Sequence, residues 1–121
     1  MRTHKTLFKT VLVMTALFLT AGVLLAGGFY PTPEAACAHD SKLQQTIRSY
    51  ERAGYVLTQE YMVPVNYFVE PTGDYVWGYD HIVMERPGAN GAIDCAEIEA
   101  EVTSTSRGFT VTGLATTEFT L

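Results

Sequence analysis

Cysteine and histidine are scarce in this sequence, and basic residues are scarce beyond its first ten positions. The 121 residues include two cysteines and three histidines, with no C-x-x-C and no H-x-x-x-H pair. Because transition-metal sites in proteins are commonly built from such clusters, we expect no metal site and no cofactor. A Gly-x-Ser-x-Gly motif is also missing, so the sequence gives no support to a serine hydrolase of the type that uses it.

The charge of the chain is unevenly distributed. Residues 1–28 hold three of the eight basic residues and no acidic one, whereas residues 29–121 hold the other five together with all 13 acidic residues. A domain with this negative field repels phosphate backbones, so we expect no binding of nucleic acid. A charged partner of this part of the chain is expected to be basic or a cation.

The first 28 residues have the pattern of a targeting segment. Arg2, Lys5 and Lys9 precede an uncharged run from Thr10 to Pro33 whose centre, Val11 to Ala26, is nearly all apolar. A basic start followed by an apolar stretch is typical of a signal peptide, and about 20 apolar residues suffice to cross a bilayer. We therefore predict a signal peptide or an N-terminal transmembrane anchor at 1–28. Either delivers an extracytoplasmic domain, which is periplasmic, secreted or displayed on the cell surface.

Three outcomes for this segment remain open from the sequence. Small residues suit cleavage before Phe29, where Ala26 and Gly28 precede the cut, and equally before His39. The length of the apolar run suits retention as an anchor. The site of any cut matters because cleavage before His39 removes one of the two cysteines.

Cys37 and Cys95 are predicted to form a disulfide, since oxidising compartments favour pairing. Closing a loop of this length stabilises a fold by roughly 4 kcal/mol in the chain-entropy model. That is a large contribution for a domain of this size, which buries only about 60 to 65% of the surface of its unfolded chain. The alternative is a pair of free thiols, or a single one if Cys37 is removed with the leader.

The remainder of the chain divides into a linker and one small domain. Glycines and prolines from Gly27 to Pro33 favour an extended spacer, so we predict a Pro/Gly linker at 29–38 and an α+β domain at 39–121. From Asp40 to Ala53, Leu43, Ile47 and Tyr50 recur at helical spacing. This spacing predicts an amphipathic helix that ends at Gly54, a residue type that commonly terminates helices.

After Gly54 the apolar residues alternate with a period of two, which predicts β-strands. Four strands are expected, at about 57–69, 75–86, 93–103 and 109–121, with turn-rich sequences between them. In the first strand, Leu57, Tyr61 and Val63 are predicted to share one face. The predicted fold is therefore one amphipathic helix packed on a four-stranded antiparallel meander.

This order of elements resembles, in outline, the cystatin-like arrangement of a helix cradled by a curved four-stranded sheet. The resemblance implies a small-ligand-binding or inhibitor domain. The Gln-x-Val-x-Gly loop of cystatins is missing, since Gln59 is followed by Glu60 and Tyr61 and no glycine stands at the required place.

Two rows of side chains are the candidate binding residues. The aromatic row, Tyr75, Trp77, Tyr79 and His81, recurs every second residue and is expected on one side of the second strand. Exposed rings of this kind stack on partners, whereas buried ones belong to the core. Glu97, Glu99 and Glu101 form an acidic row on the third strand, which is either a solvated face or a binding face for calcium or a basic protein. An Asp-rich loop with the spacing of calcium ligands is missing, which favours the solvated face.

A catalytic role for His81 is the least favoured alternative. A small hydrolase would need His81 to work with a carboxylate such as Glu85, but residues four apart on a strand are separated by about 13 Å. The sequence therefore predicts a non-enzymatic domain that serves as an accessory or structural subunit. Its expected partner is another protein, such as a component of a membrane or cell-surface assembly. If the N-terminal segment is retained, that segment also contacts the membrane.

Overall fold

The computed structural model describes residues 28–69, 71 and 73–121. Two helices precede four strands. The helices are α1 (Pro33–His39) and α2 (Ser41–Arg52), and the strands are β1 (Val56–Val69), β2 (Asp74–Pro87), β3 (Ile93–Thr105) and β4 (Gly108–Thr120). A short 3-10 turn at Ala89–Gly91 connects β2 to β3. The predicted signal peptide or anchor lies outside the described residues, apart from Gly28.

Helix α1 covers residues 33–38 of the predicted linker 29–38, so this part of the segment is helical and not an extended spacer. Thr32 caps the helix by accepting a hydrogen bond from the backbone N–H of Ala35 at 3.1 Å, and Pro33 stands in its first turn. Proline is well suited to the first turn because its missing N–H has no intrahelical partner there in any case. Pro33 thus begins a helix instead of preventing one.

The amphipathic helix predicted from Asp40 to Ala53 is present as α2. Asp40 caps it, with Oδ2 accepting the backbone N–H of Leu43 at 2.9 Å. Leu43 and Ile47 are buried against the sheet, as their spacing predicts, and Tyr50 is partly buried beside them. Gly54 has a φ of +96°, the left-handed conformation that ends helices.

The predicted four-stranded antiparallel meander is confirmed. The strands lie in the order β1-β2-β3-β4 and each pairs antiparallel with its neighbour. Both helices pack on one face of this sheet. The core between them is formed by buried side chains of α1, α2, the α2–β1 connection and the first three strands: Cys37, Leu43, Ile47, Tyr55, Leu57, Ile82, Met84, Ala96, Ile98, Ala100 and Val102.

A β-bulge at Thr58 makes the predicted face of β1 wrong beyond this residue. Leu57 lies opposite Met84 and Gln59 lies opposite Val83, so β1 contains one extra residue here. Such a bulge reverses the alternation of the strand. Leu57 is buried in the core, whereas Tyr61 and Val63, predicted on the same side as Leu57, lie on the opposite face.

Candidate functional site

The face of the sheet that the helices do not cover brings together parts of both candidate rows. We call it the open face and define it by Tyr61, Tyr79, His81, Glu97, Glu99 and Glu101. In the strand register, Tyr61 lies opposite His81, and His81 lies opposite Glu99. Tyr79 lies opposite Glu101 in the neighbouring row. Aromatic and acidic side chains that are separate in sequence therefore form one surface.

His81 lies at the centre of the open face and joins its aromatic and acidic parts. Its Nε2 is 2.9 Å from Oε2 of Glu97, and its Nδ1 is 3.5 Å from Oε2 of Glu99. The Tyr61 ring packs against the imidazole at a centroid distance of 5.1 Å. Both ring nitrogens thus face carboxylates, which fixes the imidazole as a link between β2 and β3.

The remaining members of the aromatic row are not on the open face as a continuous ladder. The register of β2 against β3 shifts between Val76 and Gly78. At this irregularity Trp77 packs against the core cluster and meets Phe109 edge to face at 6.4 Å. Tyr75 instead contacts Phe68 near the end of the hairpin. The prediction that all four rings share one side is therefore wrong, because a bulge interrupts the two-residue period.

Sequence reasoning missed the contribution of β1 to this surface. Tyr61 and Tyr67 are about half exposed, at 45% and 51%. A hydrogen bond with the Tyr67 side chain is the main cause of a raised pKa at Tyr79, which connects Tyr67 to the same surface. The alternation after Gln59 predicts that these residues share one face of the strand. It does not predict which face, because the bulge before Gln59 reverses the alternation.

The charge of the open face is negative. Among the described residues the five basic side chains lie elsewhere: Lys42, Arg48 and Arg52 on α2, Arg86 against Ala53 and Tyr55 beside the helix, and Arg107 in the turn before β4. Glu99 is half exposed, and Glu97 is more than a third exposed. The open face therefore presents acidic groups beside aromatic rings, and none of the described basic side chains lies on it to neutralise them.

A second notable location lies on the helix side of the sheet. A cavity of about 250 Å³, here named the acid cavity, is lined by residues of α1, β1 and β2: Glu34, Cys37, Ala38, Glu60, Tyr61, Met62 and Asp80. Asp80 is 1% exposed, and its polar neighbours are two other acidic groups, the Glu60 carboxyl and the Cys37 thiol.

Burial is the main cause of a raised pKa at Asp80, and the charge of Glu34 acts in the same direction. Hydrogen bonding by Glu60 and Cys37 acts in the opposite direction. Cys37 itself has its pKa raised, first by burial and then by the charge of Asp80. The cavity thus concentrates groups that resist simultaneous ionisation, because each added negative charge disfavours the next.

The predicted disulfide between Cys37 and Cys95 is absent from the structure, where both cysteines are buried free thiols. Cys37 is a residue of α1, and its side chain packs in the core between the helices and the sheet. Cys95 lies one residue before Ala96, which faces the helices, so the alternation of β3 directs Cys95 to the other side of the sheet. The sheet therefore separates the two thiols.

Neither a metal centre nor a membrane-spanning helix is found in the part of the chain that the structure describes. Within 28–69, 71 and 73–121, no three His, Cys, Asp or Glu side chains are grouped so that they could hold a metal ion. No helix in the same residues combines the length and the apolar composition needed to cross a bilayer. In comparisons with known proteins, the chain matches no family model, no curated protein and no solved structure.

Proposed function

We propose that this chain is a non-enzymatic, extracytoplasmic accessory subunit whose open face binds a basic surface of another protein. The observation that carries the proposal is the convergence of Tyr61, His81 and Glu99 in one cross-strand row on a face that neither α1 nor α2 covers. The N-terminal apolar segment would export the domain or tether it to the membrane. Both outcomes place the open face outside the cytoplasm.

The chemistry of the open face favours arginine-rich partners. A guanidinium group pairs with carboxylates and also stacks on aromatic rings, and the open face presents both kinds of group side by side. Glutamates on the rim of such a surface steer a basic partner during encounter. The arrangement of His81 supports a binding role over a hydrolytic one, since its two nitrogens already face Glu97 and Glu99.

The proposal is tested by titrating the full chain, in a nonionic detergent, with an arginine-rich peptide. The variant Glu99→Gln/Glu101→Gln removes two charges from the open face. The matched control Glu51→Gln/Glu118→Gln removes two charges from α2 and from the part of β4 that contacts Tyr50. We expect binding to weaken about tenfold or more in the first variant, which corresponds to about 1.4 kcal/mol, and to change less than about threefold in the control.

The Tyr61→Ala variant examines the aromatic half of the same surface. Loss of the ring removes a stacking surface without changing the net charge, so binding is expected to weaken by about 0.5–1 kcal/mol, as at other exposed cation–π sites. Equal weakening of binding in the two double-glutamine variants would show that the interaction depends only on the net charge of the protein. Together with an unaffected Tyr61→Ala variant, that result would refute the proposed site.

A further inference from the structure

One end of the sheet carries an exposed apolar surface that the open face does not include. Val65, Tyr67 and Phe68 are exposed near the end of β1, and Phe68, at 71%, is among the most exposed of the large apolar side chains described. Its ring meets Tyr75 of β2 edge to face at 6.2 Å. We call Val65, Tyr67, Phe68 and Tyr75 the apolar end. Exposed apolar clusters commonly mark a contact with a membrane or with another protein.

The chain enters the domain at this same end of the sheet. Tyr30 and Phe109 exchange two backbone hydrogen bonds, of 2.9 and 2.7 Å, at the start of β4. In the strand register Phe68 lies opposite Tyr75. Ser104 of β3 lies between Tyr75 and Phe109. One cross-strand row therefore runs from the exposed Phe68 ring, across the four strands, to Tyr30.

The connection at Tyr30 is short and firmly held. Tyr30 is buried, and Cζ of Arg107 lies 4.5 Å from the centroid of the Phe29 ring. A Cβ atom at Gly108 would come within 2.6 Å of the Tyr30 carbonyl oxygen, so the two segments are closely packed. The apolar centre of the N-terminal run ends at Ala26, four residues before Tyr30, which is at most about 14 Å of extended chain. A bilayer that holds this run would therefore lie next to this end of the sheet.

We propose that the apolar end is a second membrane contact, which places its rings in the lipid headgroup region beside the N-terminal anchor. Three strand spacings, about 14 Å, separate Phe68 from Phe109, so both reach the same bilayer surface. The headgroup region on each side of the hydrocarbon core is about 5–8 Å thick, and tyrosine rings are enriched there.

The charge of the domain indicates the class of lipid. Residues 29–121 are acidic overall, so an anionic lipid would repel them. Apolar contact with a zwitterionic lipid is therefore expected to hold the apolar end. The inference rests on the tethered form of the proposed subunit, in which the N-terminal segment stays in the bilayer.

Fluorescence quenching by brominated lipid tests the proposal on the full chain, reconstituted in phosphatidylcholine vesicles. The sequence has one tryptophan, so Phe68→Trp in a Trp77→Phe background reports on the apolar end alone. The matched control is Leu121→Trp in the same background, because Leu121 is 72% exposed and lies at the opposite end of the sheet, beside Ile93. Flotation of the vesicles measures membrane association of each variant separately.

We expect brominated lipid to lower the fluorescence of the Phe68→Trp variant at least about twofold and that of the Leu121→Trp variant by less than about a fifth, since interfacial groups reach about 5–10 Å into the boundary of headgroups and acyl chains. If Trp77→Phe does not give a native circular dichroism spectrum, both variants are made with Trp77 in place and the wild-type quenching is subtracted. Equal quenching of the two variants would overturn the proposal. Quenching that required phosphatidylserine in the vesicles would also overturn it.

Flotation separates this proposal from the one on which it rests. Absence of quenching in a Phe68→Trp chain that floats with the vesicles would overturn the membrane contact alone and leave the apolar end to a protein. A chain that does not float would overturn the tethered form of the subunit and this proposal with it. Neither Phe68 nor Leu121 belongs to the open face, so both failures leave the binding of a basic partner to be decided by its own titration.

Discussion

Asp80 shows how one position on a strand sets the behaviour of a side chain. His81, the next residue, projects to the open face and faces two glutamates, whereas Asp80 projects beneath the helices and is almost completely buried. The two residues are adjacent in sequence and experience opposite environments. In a strand this follows directly from the two-residue period.

The stability of the protein is expected to depend on pH through Asp80. Its pKa is raised above the ordinary value of 3.8 by burial, so the folded state holds a proton that the unfolded state releases. Above pH 3.8 the stability contribution of this group therefore falls as the pH rises through the folded-state pKa. The Asp80→Asn variant has no such proton and should be more stable than the wild type at about pH 8, by about 1–3 kcal/mol.

Urea denaturation of the wild type and of Asp80→Asn, at about pH 4 and about pH 8, measures this difference. The advantage of the variant should shrink at the lower pH, where the wild-type carboxyl is protonated to a greater extent. A variant that is less stable than the wild type at the higher pH would show that the charge of Asp80 is satisfied in the folded protein.

At the scale of elements, the bulges decide which side chains reach which face. Each irregularity in β1 and β2 adds a residue to one strand and reverses the alternation beyond it. The bulge at Thr58 places Tyr61 on the open face, and the one at Trp77 moves that ring to the core side. Thr58 supports the first bulge by donating a hydrogen bond from its hydroxyl to the carbonyl oxygen of Val83 at 3.2 Å.

Gly78 permits the close approach of β1 and β2 beside the second bulge. A Cβ atom at this position would overlap the carbonyl oxygen of Val63 and lie 2.8 Å from Cα of Pro64. Both obstacles are backbone, which cannot rotate away. Gly78→Ala should therefore destabilise the protein by about 1–3 kcal/mol, the usual cost of overpacking, as measured by urea denaturation.

Gly113 provides the matched control on β4. Its Cβ would come no closer than 3.4 Å to the Glu101 side chain, so Gly113→Ala is expected to change the stability by less than about 0.5 kcal/mol. Similar losses in both alanine variants would mean that the general cost of replacing a strand glycine, and not the contact with β1, sets the effect.

At the scale of the whole molecule, the sheet is a partition between two different surfaces. The helix side contains the core, the acid cavity and Cys37, while the opposite side carries the open face and Cys95. Arg86 braces the end of the helix side by donating to the carbonyl oxygen of Ala53 at 2.6 Å and to Asp94 at 3.0 Å. The fold is held without a covalent link between the two sides.

This partition predicts the reactivity of the cysteines. Both thiols are buried, and burial is the first cause of the raised pKa of each. The thiolate is the reactive form, so neither thiol should react with a maleimide in the folded protein at neutral pH, and both should react in urea. Intact mass under non-reducing conditions provides the independent measurement. A mass lower by two hydrogens, with no labelling in urea, would mean that Cys37 and Cys95 are paired and that the separation by the sheet is wrong.

Local sequence patterns were sufficient for the elements but not for all of their faces. The spacing of Leu43 and Ile47 predicts α2, and the alternation around Ala96 and Ile98 predicts the buried side of β3, because one face of each element must enter the core. The glutamates between those β3 residues were accordingly placed outside the core from sequence. Trp77 could not be placed in the same way, since a bulge changes the period without a distinctive residue pattern.

The sequence by itself determined the class of the fold, the order of its strands and the acidic character of the domain, since these follow from periodicity, turn residues and composition. Only the tertiary structure decided that Tyr61 joins His81 and the glutamates, that Asp80 closes a cavity with α1, and that the two cysteines are kept apart. These are relations between residues distant along the chain. They depend on strand register and on which face the helices cover, and neither quantity is encoded in any short stretch of sequence.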